Sequence, residues 1–329
     1  MAIGQVCELW RYPVKSLGGG RVEQVEISAR GLHGDRLWAV RDVARDVTAS
    51  ARRIPALLTA TARYVDPVPA DAGPGNVPEV EISFPDGTVL SSSDAAVHAK
   101  LSDLAGREVR LTALPPADDT SLHRLSRAER ANTSINSVRS DLGITETEKL
   151  PDFSVLRMSD LATQARYSTP PGAFVDLAPV HVLSKTSVAT IGAELDADLD
   201  VRRFRPNVLL ALDDPSDDLP ESQWLGAQLT LGGVVLDVTN PTIRCVVPSR
   251  AQPGLDVDRR ITRAVAERAQ RCLGVYCWVG TAGTVRVGDP VTVGSVPAPR
   301  RLLADATRRA KRFTFGLATA AMERLSRER

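Results

Sequence analysis

Between Gly232 and Pro253 the chain reads GGVVLDVTNPTIRCVVPSRAQP, and no other stretch restricts the fold as strongly. Val234, Val235, Leu236 and Val238 form a β-branched run that a Gly-Gly turn opens and Asn240-Pro241 closes, the punctuation of a strand leaving a hairpin. Trp224 to Leu231 is the expected partner across Gly232-Gly233. Cys245 then sits just past a strand end, on supported backbone, with its side chain free to face a cleft. Arg244 places a fixed positive charge one residue away, which favours thiolate over thiol. A thiolate is a nucleophile or a soft-metal ligand. The competing reading is a buried, inert cysteine that packs as a small hydrophobe.

Composition narrows the partners. The 329 residues are 43% hydrophobic, enough to bury one large or two ordinary cores. Lys and Arg number 41 against 40 Asp and Glu, a formal charge of +1, so no global field draws the chain to nucleic acid or to an anionic membrane. Any anion it binds must be met by a local cluster. Cysteines at 7, 245, 272 and 277 have no CxxC spacing and only four histidines accompany them, which argues against a structural zinc site. Charges precede any apolar run at the N-terminus and no segment approaches the ~20 apolar residues of a membrane span, so a cytoplasmic protein with reduced thiols is expected. No P-loop, strand-borne GxGxxG, HExxH, GxSxG or long-period repeat is present, which argues against nucleotide hydrolysis, Rossmann cofactors and the common hydrolases.

Along the chain, residues 1 to about 65 alternate as short strands, with Val6, Glu8, Trp10 and Tyr12, then Val22, Val25 and Ile27, then Leu37, Ala39 and Val40, separated by glycines. That spacing suggests a barrel or sandwich. Residues 66–78 read as an exposed loop, 80–90 as a hairpin around Pro85-Asp86-Gly87, and Ser93-Asp94 as the cap of a helix from Ala95 to Leu104 that ends at Gly106. Residues 115–172 are polar and read as a solvated helix or surface excursion. Strands return at Pro179 to Leu183 and at the end of Val201 to Leu212, with a short helix from Ser187 to Leu195 between them. Val257 to Leu273 reads as a helix with Val257, Ile261, Ala264, Val265 and Ala269 inward and Gly274 at its end, and strands at Tyr276 to Val279 and Thr284 to Val293 close the fold. From Pro299 to Arg329 nine Arg and Lys interleave with Leu302, Leu303, Phe313, Phe315, Leu317, Met322 and Leu325. Such a pattern is a basic amphipathic helical tail, which packs on its own barrel or docks an acidic redox partner or membrane face.

Three groups of residues carry a resemblance. YPVKS at Tyr12 to Ser16 with GDRLW at Gly34 to Trp38, RFRPN at Arg203 to Asn207, and TIRC at Thr242 to Cys245 followed by GTVRVGDPV at Gly283 to Val291 resemble, in order and spacing, the MOSC family. Its members include amidoxime-reducing components and their bacterial relatives, and it is related to molybdenum-cofactor sulfurases. The resemblance spans about residues 3 to 294 and omits the tail. It implies a mixed α/β, β-rich fold: an N-terminal β-barrel-like domain over 1–115, a polar connection over 116–172, a MOSC β-barrel with peripheral helices over 173–294, and the tail from 295. It also implies a molybdenum cofactor (molybdopterin) whose metal is ligated by Cys245. Positions matching Lys15, Ser16, Arg36, Arg205, Asn207 and Cys245 line that cofactor in the family, and relatives place a polar contact near Ser184.

The residue types suit the implication, because an anionic, phosphate-bearing pterin needs cationic and bidentate donors around a soft ligand. Lys15 and Arg36 suit the phosphate and Ser16 adds a hydroxyl. On an extended segment Arg205 and Asn207 point the same way and Arg203 shares their parity. There are departures. Val246-Val247-Pro248-Ser249 follows the cysteine where relatives carry Thr-Thr-Val-Asp, and Ser50 stands where relatives place an arginine, with Arg52 or Arg53 as the substitute. No cysteine follows Cys277, so electrons for a reductase come from a separate ferredoxin- or cytochrome-type protein. The expected activity is molybdenum-dependent reduction of small N-hydroxylated or N-oxygenated compounds. The alternatives are a sulfur-handling or cofactor-carrier protein using Cys245, and a non-catalytic binding protein.

Overall fold

The computed structural model describes residues 1–294 except 133, 146, 147 and 215. A closed β-barrel lies at its centre. In chain order the barrel strands are β1 (Gly4–Arg11), β2 (Val180–Ser184), β3 (Val208–Leu212), β4 (Gln228–Leu231), β5 (Val234–Ile243), β6 (Cys272–Thr281) and β7 (Pro290–Val293). Around the ring the order is β3-β2-β6-β5-β4-β7-β1, and β1 closes it against β3, with Gly4 opposite Leu212 and Leu9 opposite Val208. The first strand of the chain thus completes a barrel built otherwise from residues 180–293. β2 and β3 run parallel, so their connection must cross over, and helix Lys185–Ala193 lies in it.

The hairpin read from the sequence forms as expected. β4 pairs with β5 from Gln228 opposite Asp237 to Leu231 opposite Val234, which leaves Gly232 and Gly233 as the two-residue turn. Gly232 adopts φ +56°, and a Cβ there would fall 2.6 Å from Asp289 Oδ2, so both conformation and space demand glycine. Val234, Leu236 and Val238 point into the barrel with Val182, Leu210, Leu229 and Val275. Each such side chain, fully buried, contributes about 1.5–3 kcal/mol.

Asn240-Pro241, however, does not end the strand. β5 runs on to Ile243 through irregularities at Val238/Asn240 and Pro241/Ile243, and a bulge is where a strand tolerates proline. The Asn240 side chain is buried and donates to Asp160 Oδ2 at 2.6 Å, which locks the bend. Cys245 emerges two residues beyond the strand, as expected.

A second core, including Val40, Leu57, Ile82, Leu101 and Leu111, belongs to the N-terminal third. It joins strands Trp38–Asp42 and Val109–Ala113 to strands Thr61–Tyr64 and Val80–Ser83, under helix Ala96–Ala105. Strand Gln24–Ser28 pairs with Gly283–Arg286, so the two ends of the chain interlock a second time.

Two expectations need correction. Residues 115–172 are only in part the solvated helix or surface excursion expected: helices Arg127–Asn132, Ile135–Leu142 and Met158–Gln164 form, and Arg124, Arg127 and Arg130 are exposed, but His123, Glu129, Arg139 and Asp160 are buried. Their polarity is absorbed by distant partners, as when Arg45 grips both oxygens of Glu129 at 2.7 and 2.8 Å. The helix expected from Val257 is only Arg260–Ala269; Asp258 accepts from the Arg260 amide at its start, and Val257 is 55% exposed. Left-handed Gln270 and Arg271 stop it before Gly274, which lies in β6. Among the described residues no helix is long and apolar enough to cross a membrane. The basic tail lies outside the described residues.

Candidate functional site

Past the end of β1 and before the starts of β2 and β3, where the bulged end of β5 also reaches, side chains from both halves of the chain meet in one cleft. Lys15, Ser16, Arg36, Arg203, Arg205, Asn207, Arg244 and Cys245, expected from the sequence, all line it. Ser184 does not. Its hydroxyl accepts from the Ser187 amide at 3.1 Å and caps the crossover helix. Sequence reasoning missed Asp176, His181 and Tyr276, and left Arg52 and Arg53 as alternatives. Arg52 lines the cleft, while Arg53 turns away to Glu129 at 2.9 Å.

The arginines stand where they do because the backbone is bent to put them there. Ser16, Arg36 and Arg205 have φ of 73°, 51° and 54°, left-handed values that cost non-glycine residues about 1–3 kcal/mol each and collect at functional sites. The extended segment expected from Arg203 to Asn207 is therefore not present. Arg203 ends a short 3-10 turn, and Arg205 is reversed before β3 begins. Tyr12 organises two of the cations: the guanidinium carbons of Arg205 and Arg36 lie 4.3 and 5.2 Å from its ring centroid, a cation–π arrangement.

Several side chains expected to grip a ligand serve instead as braces. Arg203 donates to the carbonyls of Pro248 and Asp256 at 3.2 and 2.9 Å, tying down the loop beyond Cys245. Asn207 accepts from the His181 amide at 3.2 Å and donates to the Trp10 carbonyl at 3.4 Å. Arg244 donates to the carbonyls of Leu273 and Phe204 and to His181 Nε2 at 2.8 Å. Arginine has no acceptor, so His181 Nε2 accepts and its Nδ1–H donates to the Arg205 carbonyl. Burial and the adjacent Arg244 push the His181 pKa well down, so the ring is neutral.

The electrostatics of Cys245 also differ from expectation. Burial pushes the thiol up, and the cation that opposes this most is Arg52; Arg244 acts less, its guanidinium being turned toward β6 and Phe204. With no metal the residue is therefore a thiol, and a metal ion would displace its proton. Desolvation in the cleft acts to raise the Asp176 pKa, weakly because its side chain is 56% exposed, and Lys15, whose Nζ lies 2.5 Å away, and Arg52 outweigh it and hold the carboxyl well below the usual range.

The donor set fits an anionic, soft-metal cofactor. Six cations (Lys15, Arg36, Arg52, Arg203, Arg205 and Arg244) share the cleft lining with one carboxylate, Asp176, and one thiol. Thr242 Oγ1 is buried there without a hydrogen-bond partner, a vacant position that a polar guest satisfies. The free space is about 90 Å³, so a pterin-sized guest needs lining side chains to move. Among the described residues no group of three or more His, Cys, Asp or Glu is placed to hold a metal, so Cys245 is the soft donor the cleft offers.

Fold and cleft together define a β-barrel protein with a thiol-bearing, cationic binding cleft at one barrel mouth. Residues 3–115 match the MOSC N-terminal beta barrel domain and residues 170–292 match the MOSC domain, so the chain belongs to the MOSC family. It is similar to the mitochondrial amidoxime reducing component 2 of Bos taurus, 24% identical over 315 residues covering 88% of this chain and 83% of that one. The Xenopus laevis mitochondrial amidoxime-reducing component 1 is 24% identical over 304 residues, covering 88% of this chain and 82% of that one. Among solved structures the YuaD protein from Bacillus subtilis covers 89% of this chain and 97% of its own, at 11% identity and a TM-score of 0.41.

Proposed function

We propose that this chain binds a molybdenum cofactor with Cys245 as a metal ligand and reduces N-hydroxylated compounds, using electrons from a separate ferredoxin- or cytochrome-type protein. The observation that supports this most is Cys245 opening onto the same cleft as six cations. In this reading Lys15, Arg36, Arg52 and Arg205 neutralise the cofactor's charge, and Thr242 and Ser16 add hydroxyls. When bound, the cofactor supplies two-electron redox chemistry. Reduction of an amidoxime breaks its N–O bond, consumes two electrons and two protons, and releases an amidine and water.

The protein groups divide the remaining tasks. Asp176, held ionised, can accept the hydrogen bond of an N–OH group and fix its orientation. It has no proton to give, and His181 is neutral with both ring nitrogens engaged. Lys15 is the better donor, since burial lowers its pKa despite the opposing pull of Asp176. Arg244 and Arg203 keep the Cys245 loop from moving by holding it to β6 and to residues 248–256.

A persulfide or carrier role is less favoured, because burial keeps the uncoordinated Cys245 protonated and so a poor nucleophile. The test is the full chain made in a host that synthesises the cofactor. Stoichiometric molybdenum and amidoxime reduction with a chemical electron donor, both lost in Cys245→Ser, are expected. Metal-free protein carrying cyanide-releasable sulfur would favour the carrier role, and undiminished reduction by the variant would overturn the assignment.

A further inference from the structure

Tyr276 stands in the cleft with its hydroxyl unengaged. Its carbonyl accepts from Thr239 Oγ1 at 3.2 Å, and its ring tilts 53° against His181 with centroids 5.5 Å apart. His181 is itself pinned between the Arg205 carbonyl and Arg244. Backbone and ring are thus held, while the hydroxyl meets no hydrogen-bond partner among the described residues. The half-buried side chain lines the same cleft as Asp176 and Cys245. A tyrosine hydroxyl in such surroundings ordinarily has a partner, so this one is a donor preset for a guest.

The neighbouring donors are already committed. Lys15 is tied to Asp176, Arg203 to the carbonyls of Pro248 and Asp256, Arg244 to those of Leu273 and Phe204, and Arg36 to Asp35 and Asn207. Desolvation in the cleft, and after it Asp176, push the Tyr276 pKa far up, so the group keeps its proton and donates without carrying charge. An N–OH group offers one hydrogen and two oxygen lone pairs. Ionised Asp176 can take only the hydrogen, which leaves the lone pairs in need of a donor.

We infer that the Tyr276 hydroxyl donates a hydrogen bond to the oxygen of the substrate's N–OH group, while Asp176 accepts that group's hydrogen, and that this pair separates oxygenated substrates from their deoxygenated products. The inference rests on the reductase reading and names the residue that recognises the atom being removed. Tyr276 lends a hydrogen bond and keeps its proton, so the balance is unchanged: the N–O bond breaks with two electrons from the donor protein and two protons, leaving amidine and water. The departing oxygen gains negative charge, and a preorganised donor is worth more to it then than in the bound substrate.

The experiment uses the cofactor-loaded full chain and Tyr276→Phe, which deletes the hydroxyl and keeps the ring on His181. Tm and molybdenum content should match wild type, since no protein group loses a partner. With a chemical electron donor, kcat/KM for benzamidoxime should fall about tenfold or more. Without one, titration calorimetry should show benzamidoxime binding weakened about 3- to 10-fold and binding of benzamidine, which lacks the oxygen, unchanged. Equal losses for the two ligands, or a fall in molybdenum content, would assign the hydroxyl to the cleft wall or the cofactor and overturn the inference. Unchanged affinity and kcat/KM would overturn it as well, with wild-type reduction left standing. Selective loss of benzamidoxime binding in a protein that reduces no amidoxime would keep Tyr276 in this role and sink the reductase reading.

Discussion

Acid should loosen the connecting region through His123. The ring is fully buried against Phe174, with centroids 5.2 Å apart; Nε2 accepts from the Gly172 amide at 3.3 Å, so Nδ1–H donates to Thr169 Oγ1 at 2.8 Å. Burial, more than any neighbouring charge, lowers its pKa to about 4 from an ordinary 6.5. Below 6.5 the unfolded chain takes up a proton that the folded chain refuses until about pH 4. The stabilisation is therefore complete above 6.5 and is lost as pH falls from there to about 4. At about 1.4 kcal/mol for each pH unit the loss is about 1–3 kcal/mol. Urea unfolding of wild type and His123→Gln at pH 7.0, 5.5 and 4.5 isolates this residue from other titrating groups. The wild type's advantage should shrink by that amount on acidification. A constant difference across the three pH values would refute the reasoning.

Two further outcomes follow from the partners described. Glu129→Gln strands the guanidiniums of Arg45 and Arg53, both about one-third exposed, and should cost about 2 kcal/mol, read as a fall in Tm, because one member of a partly buried charged network is removed. Ser184→Ala should cost about 1 kcal/mol as a lost helix cap while leaving molybdenum content at the wild-type level, and a fall in metal content would return Ser184 to the cofactor site.

What the sequence revealed and what it hid have physical causes. The β4–β5 hairpin was legible because a β-branched run and a Gly-Gly turn are local signals that act on one another at short range. The convergence of Lys15, Arg36 and Cys245 was legible only through short motifs far apart in the chain, since periodicity says nothing about which loops share a barrel mouth. The parity argument for Arg203, Arg205 and Asn207 failed because period two holds only for extended backbone, and Arg205 is left-handed. Asp176 was invisible because its partner, Lys15, lies 161 residues away. The connecting region was unreadable for the same reason: Glu129 looks solvated in sequence but is buried against Arg45, 84 residues earlier. His181 had a faint signal, a histidine inside the apolar strand run Val180–Ser184, where a polar ring needs buried partners.

Whether sulfur from Cys245 reaches a metal is best answered by molybdenum X-ray absorption on wild type and Cys245→Ser, each produced with the cofactor. The expected spectra show molybdenum in the wild-type protein with one more sulfur scatterer than in the variant. Identical sulfur shells in both, or no molybdenum in the wild-type protein, would contradict the account.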